Sequence, residues 1–402
     1  MTVNITWLSA SSAPQVTSSW LNVSFSDLNW LANISAVVSA LLSLPTAWSY
    51  ERFGIKWNLL VAAFINVIGC WIRFISNFVP VHSRFWVVML GQSIASISGP
   101  LVTNISTKLA AVWFAPKHRG IANTLTALSI APAIAPIVIP IIAPVPENTP
   151  QMFLITAVFA SIVAIIFPFL PHKPKIPPSF SATQSRTSVW EGMKMLVKNR
   201  DFIWLLIISS TGIGMASCFT VIIMEAIIPY GYTEQQAGLC VAVITISGFF
   251  GGGVTGYWLG KSNDPNTIIR MFTPLTIFSY VMFIYQIVPN AFSVLLIACV
   301  ANGFFSYGLF NVYLELASEV TYPVPESVSS CCIAAGNSVT TFLFTVILDA
   351  FRAGPKAHPP HHMNTSLIVA TIIVIVGSLP CLVLKGELKR LAVDQQLNQC
   401  KK

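Results

Sequence analysis

The sequence predicts an all-α, polytopic membrane protein of two six-helix bundles with its first helix apparently truncated, and three observations carry the prediction. Apolar residues make up 54 % of the 402 residues and charged residues only 9 %, whereas a soluble domain carries roughly 25 % charge. Long apolar stretches alternate with short basic blocks. A 207-residue offset also relates the two halves: Lys108-Leu109-Ala110 followed by Pro116 returns as Glu315-Leu316-Ala317 followed by Pro323, and Phe25-Ser26-Asp27 returns as Tyr232-Thr233-Glu234.

Eleven full spans are expected, at 27–50, 56–77, 84–112, 118–143, 150–170, 201–229, 234–260, 267–288, 290–318, 326–350 and 364–385. Each has about the 20 residues or more that a bilayer crossing needs. Before them, Trp7 to Trp20 reads as the outer half of one more span. Met1 leaves too few residues to complete it, and the expectation is that the sequence starts late, inside that helix. Ser26 and Thr233 are placed as N-caps, with Asn29 and Gln236 three residues on as reciprocal partners.

Orientation follows from the basic residues. Of the 22 Lys and Arg, all but Arg73, Arg84, Arg352 and Lys356 fall on one side, which includes the Lys117-His118-Arg119 turn. The basic-rich side is expected to be cytoplasmic. The domains expected are an N-terminal bundle over 1–170, a linker over 171–200, a C-terminal bundle over 201–385 and a cytoplasmic tail over 386–402. Four prolines and an amphipathic basic run, 189–199, mark the linker as a membrane-surface segment.

Composition also excludes. The net charge of +8 is spread in loops, with no Lys/Arg run interleaved with aromatics, so no nucleic-acid partner is expected. The eight cysteines lie almost all in apolar spans without a CxxC pair, which argues against a disulfide framework. No P-loop, nucleophile elbow or metal-ligand spacing occurs. The expectation is no enzyme, no catalytic residue, no metal and no cofactor.

Several residues stand out within the spans. Glu225 sits in the apolar run 221–228. A carboxylate there is costly unless it faces a wet cavity or a partner, so it is a candidate to bind a cationic solute or carry a proton; the plainer alternative is that it snorkels to the interface. Lys108 ends the fourth span, and Glu315 and Glu319 end the tenth. Their opposite signs at repeat-related positions suggest a gate between the halves, against the alternative of independent helix-end charges. Pro132, Pro136, Pro140 and Pro144 recur every fourth residue in the fifth span and are expected to bend or unwind it. Gln92, Asn104 and Asn123 are buried amides suited to line a cavity or to bond neighbouring helices. His358, His361 and His362 read as an exposed loop. Asn22 and Asn364 head N-x-S/T sequons on the outer side and are candidate glycan sites.

At Glu51-Arg52-Phe53-Gly54-Ile55-Lys56 the chain resembles the major facilitator superfamily, whose loop signature is acidic-Arg-x-Gly-x-basic. Within it, the chain resembles the feline leukaemia virus receptor-related family (solute carrier family 49). That resemblance rests on Trp7-Leu8-Ser9, Asn29-Trp30-Leu31, Gly91-Gln92, the stretch 108–114, Glu315-Leu316-Ala317 and the stretch 322–326. It implies alternating-access transport of a small cationic or amphipathic solute, with choline, ethanolamine, haem or a vitamin B6 form as candidates. It implies an aromatic-and-amide site containing Trp7 and Asn337, and Gly99 stands where the family carries a fourth-span amide. Glu51 and Arg52 would gate with the inner end of the eleventh span. The expected partners are a small-molecule solute and the lipid bilayer, the expected state a monomer, and the expected location the plasma or an endolysosomal membrane. Two alternatives are a proton-coupled exporter with Glu225 as carrier, and a non-transporting receptor or short isoform.

Overall fold

Inside a bilayer every backbone N–H and C=O must be satisfied within its own segment, so long apolar runs become helices. A computed structural model of the chain describes residues 2–114, 131–169, 189–262, 264–289, 291–386 and 388. Those residues are nearly all helical. The first half comprises α1 (Thr2–Leu8), α2 (Pro14–Leu21), α3 (Phe25–Ile75), α4 (Val81–Thr103), α5 (Ser106–Trp113), α6 (Ala131–Ile142) and α7 (Thr149–Ile166). The amphipathic α8 (Val189–Lys198) leads to α9 (Arg200–Ile227), α10 (Glu234–Ser262), α11 (Pro265–Gln286) and α12 (Phe292–Gly308). The last three are α13 (Phe310–Val320), α14 (Glu326–Ala350) and α15 (Asn364–Ser378). The expected Lys117-His118-Arg119 turn, Asn123, most of the linker and nearly all of the tail lie outside the described residues.

Nine stretches among the described residues are long and apolar enough to cross a membrane. Two expected spans merge into α3, whose 51 residues would reach about 75 Å if straight, against a hydrocarbon core of ~30 Å. The break comes at Gly54, where φ is 75°, a backbone region that glycine enters without cost. Asn58 clamps it: its Nδ2 donates to the Ser49 and Gly54 carbonyls at 3.1 and 2.7 Å.

The fourth and tenth spans, each read as one helix, are both interrupted. α4 gives way to α5 at Asn104, and α12 to α13 at Leu309. Buried Asn104 lies at the first break and buried Asn311 in the first turn after the second; these two asparagines differ by the same 207 positions as the repeat. Side chains bond the backbone beside the breaks: Thr255 Oγ1 donates to the Gly308 carbonyl at 2.6 Å, and Tyr50 OH to the Pro100 carbonyl at 2.8 Å, which also keeps its bond from the Asn104 N–H.

Two expectations change. The N-cap before the second span is Ser24, not Ser26; Ser24 and Asp27 form the reciprocal capping box. Its counterpart, Thr233 with Gln236, is as expected, with bonds of 3.2 and 2.9 Å. The fifth span stays helical over Ala131–Ile142 with Pro136 and Pro140 inside it. Pro140 has no N–H to give the Pro136 carbonyl, and that oxygen instead lies against the backbone of Gly238 on α10. Close Cα–H···O contacts of this kind partly replace the missing bond.

Helices of each half pack chiefly with one another: α3 with α4 and α7, α9 with α14 and α15, α10 with α12. Between the halves, α3 lies along α14 and α6 along α10. Buried Phe219 anchors the second half, edge-on to Phe283 and Tyr280 at 4.8 and 5.3 Å between ring centroids.

Candidate solute-binding site

Where α1, α3 and α4 face α9, α12 and α14, the packing leaves a cavity of about 270 Å³. α1 contributes Asn4 and Trp7, and α4 contributes Gln92 and Gly99; Asn104 follows at the break. The second half supplies Ser217, Tyr307, Phe310, Asn337 and Ser338. No lining residue among those described carries a formal charge. Three aromatic side chains, four amides and a set of hydroxyls can therefore offer ring faces and hydrogen bonds, but no full counter-charge.

The polar lining is partly pre-organised. Gln92 Nε2 donates to Ser35 Oγ at 3.1 Å, and Ser35 and Ser96 share a hydrogen bond of 2.6 Å. Tyr307 OH and Thr220 Oγ1 are 3.0 Å apart. Asn337 is only 9 % exposed, and its Oδ1 has no hydrogen-bond partner among the described residues. A buried, unsatisfied amide oxygen on a cavity wall is an acceptor kept free for whatever enters.

The structure thus brings Trp7, Gly99 and Asn337 to one cavity, with the amides Gln92 and Asn104. Glu225 is not part of its lining. It is 6 % exposed and pairs with the Arg352 guanidinium, while Asn29 Nδ2 donates to the same carboxylate at 3.4 Å. Arg352 also pairs with Asp349 at 2.7 Å. The lodging is a buried ion-pair cluster, neither a wet cavity nor a snorkelled interface, and it spans from α3 to α9 and the end of α14. Asn29 thereby turns inward, which is why it caps no helix. Nearby, the backbone N–H of Gln15 on α2 donates to Glu234 Oε1 at 2.7 Å. The opposite ends of the halves are thus also joined.

At the basic end, Lys108 pairs with Glu51 at 2.8 Å, where the expectation was Glu315. Lys108 Nζ also donates to the Tyr50 carbonyl at 2.8 Å. Ser327 Oγ, on the first turn of α14, donates to Glu51 Oε1 at 3.1 Å. Glu51 therefore does meet the inner end of the eleventh span. Arg52 does not enter this contact; its guanidinium lies 5.4 Å from the Trp48 ring centre. Glu315 and Glu319 lie one turn apart on α13.

Asn22 is exposed at the end of α2 with φ of 56°, and Asn364 is exposed at the start of α15. Tyr230 OH donates to Asn364 Oδ1 at 2.7 Å, and Ser366 of the same sequon is buried against the Leu348 carbonyl.

Sequence reasoning missed Tyr307, Phe310, Asn4 and the Ser35–Ser96 pair. Tyr307 carried a usable signal: a hydroxylated ring beside Gly308 within an apolar run. The serines carried none, because in apolar helices they most often bond their own backbone.

A family model for the Major Facilitator Superfamily matches residues 2–347. The chain belongs to the major facilitator superfamily. Like the superfamily's other members it is a multi-pass membrane protein of a transporter family, not an enzyme. It is 26 % identical over 389 residues to solute carrier family 49 member A3 of Danio rerio, covering 94 % of this chain and 80 % of that protein. It is 23 % identical over 416 residues to the choline/ethanolamine transporter FLVCR2 of Rattus norvegicus, covering 98 % and 74 %. An uncharacterised Caenorhabditis elegans protein is 28 % identical over 329 residues, which cover 80 % of this chain and 65 % of that relative, just under two thirds of its length. The proton:xylose symporter XylE superimposes with a TM-score of 0.68 at 13 % identity, covering 98 % and 97 %, and the Escherichia coli fucose:proton symporter FucP with 0.66 at 10 %, covering 96 % and 97 %. At these identities the structural likeness concerns the fold.

Proposed function

We propose that this major facilitator carries a small organic cation or amphipathic solute, of the choline and ethanolamine type, across a membrane by alternating access. The observation that carries the reading is the charge-free cavity that sets Trp7, Tyr307 and Phe310 beside the unsatisfied Asn337 amide. A quaternary ammonium is held by ring faces, at ~2 kcal/mol per desolvated contact, without needing a carboxylate, and the amide takes its hydroxyl. Relatives named as choline/ethanolamine transporters align over most of the chain, which supports the same solute class. Gly99 leaves room on the fourth-span wall where the resemblance implies an amide, so a solute bulkier than choline is accommodated.

Residues 1–170 and 201–385 would act as the two rocking bundles. The contact of Ser327 with Glu51, which Lys108 holds in place, would close one end, and those of Asn29 with Glu225 and of Gln15 with Glu234 the other. Uptake of labelled choline, ethanolamine and pyridoxine into transporter-null cells tests the reading. Saturable uptake of at least one is expected, with KM raised about tenfold in Trp7→Ala and also raised in Asn337→Ala. Absence of uptake for all three, with surface expression verified, removes the solute class.

A further inference from the structure

Arg73 lies near the end of α3, 1 % exposed. The ion pairs among the described residues are Lys108–Glu51, Arg352–Glu225 and Arg352–Asp349, and Arg73 is in none of them. A guanidinium buried inside the protein without a counter-charge is costly and is retained where it performs a task.

Its contacts point to the task. Nη1 donates to the Thr6 carbonyl at 3.2 Å, and Nη2 to Ser9 Oγ at 2.5 Å. The guanidinium also lies over the Phe153 ring, 4.7 Å from its centre. α1 stops at Leu8, at the negative end of its dipole; the Leu8 carbonyl is taken by the Ser12 N–H at 2.9 Å, while the Thr6 carbonyl accepts from Ser9 Oγ at 2.9 Å as well as from Arg73. The Thr6 carbonyl belongs to the peptide that joins Thr6 to Trp7. A bond on that oxygen fixes the plane from which the Trp7 side chain departs. The arginine stem meanwhile lies against α4: a Cβ on Gly91 would come within 2.7 Å of Arg73 Cγ, and the next residue, Gln92, lines the cavity.

We infer that Arg73 is a positioning residue for the cavity: it caps the broken first helix and, from outside the site, holds the Trp7 ring at the wall beside Gln92. Lysine cannot substitute, because one ammonium lacks the planar fork that reaches Thr6 and Ser9 while stacking on Phe153. The functional half of the inference rests on the reading of the cavity as the solute site; the structural half does not.

The test uses Arg73→Lys and Arg73→Met in the full chain, the methionine variant because an apolar replacement of a buried charge tends to keep the fold. First, Asn4→Cys is introduced as a reporter in α1, and its labelling rate by a cationic methanethiosulfonate is compared with and without each Arg73 change. A rate change of roughly fivefold or more is expected as the capped turn loosens. An unchanged rate in both variants overturns the inference whatever the solute is. Second, choline uptake is measured for Arg73→Lys, Trp7→Ala and the double variant. Each single change should raise KM roughly tenfold, with little change in Vmax, and the double should match Trp7→Ala alone, as residues acting through one contact do. Multiplying effects in the double variant overturn positioning through Trp7. If Trp7→Ala leaves KM unchanged, or no choline is taken up, while the labelling rate still responds, the solute reading falls and the hold of Arg73 on α1 stands.

Discussion

Lys108 and Glu51 form an ion pair with 17 % and 40 % side-chain exposure, and that exposure sets its worth. A pair this wet contributes roughly 0.2–1 kcal/mol, enough to bias a conformational equilibrium and too little to hold a fold. Lys108→Met is therefore expected to leave the melting temperature nearly unchanged while loosening the basic end. Cys332 is half-buried on the α14 turn behind this contact. In a Cys400→Ser background its labelling by a thiol reagent should quicken several-fold, and an unchanged rate refutes the gating role of the pair. At this scale the sequence marked which residues were unusual but not whom they meet. Glu225 announced itself as a carboxylate in an apolar run, and a partner was physically required. The partner, Arg352, is 127 positions away, beyond any periodicity. Asn29 shows the opposite failure: it was placed as the local partner of an N-cap at Ser26, but the capping box forms at Ser24 and Asp27, and Asn29 bonds Glu225 of the other half.

Helix identities and most of their ends follow from apolar length and capping chemistry, as with Thr233 and Gln236. The interruptions do not, because hydropathy is blind to a helix that stops and restarts at the same depth. Asn104 and Leu309 are both such points. At Pro140 the missing bond is met in part by a neighbouring helix, a compensation that proline spacing does not reveal. That compensation needs Gly238, where any Cβ would collide with the Pro136 carbonyl. Gly238→Ala should force α6 and α10 apart and cost about 1–3 kcal/mol, read as a clear fall in the melting temperature of the purified protein. A variant melting like the parent would show that this contact is looser than described.

For the whole molecule, the 207-residue offset pointed to a duplication, and composition to the bilayer; the family match agrees with the membrane reading. What neither could supply is how the halves hold each other, because contacts between repeats depend on side chains that the repeats do not share. The Asn29–Glu225 bond is one of these links, and it leans on the buried Glu225–Arg352 pair within the second half. Removing one partner of a buried pair costs about 3–5 kcal/mol, since the other is stranded. Arg352→Met should accordingly destabilise the protein strongly, and Arg352→Met combined with Glu225→Gln should recover most of the loss. Equal instability of the single and double variants, by thermal melting in detergent, would rule out charge stranding as the cause.

The interruptions at Asn104 and Leu309 divide each of two long helices into a shaft and a short forearm. The forearms, of 8 and 11 residues, carry Lys108 on one side and Glu315 and Glu319 on the other. An elbow at each break lets the charged tips swing while the shafts, which carry Gln92, Gly99 and Tyr307, stay still around a bound solute. Unlatching the basic end would then begin with two or three helical turns in each half, ahead of the rocking of the bundles, and the cavity walls would not need to deform for the door beneath them to move.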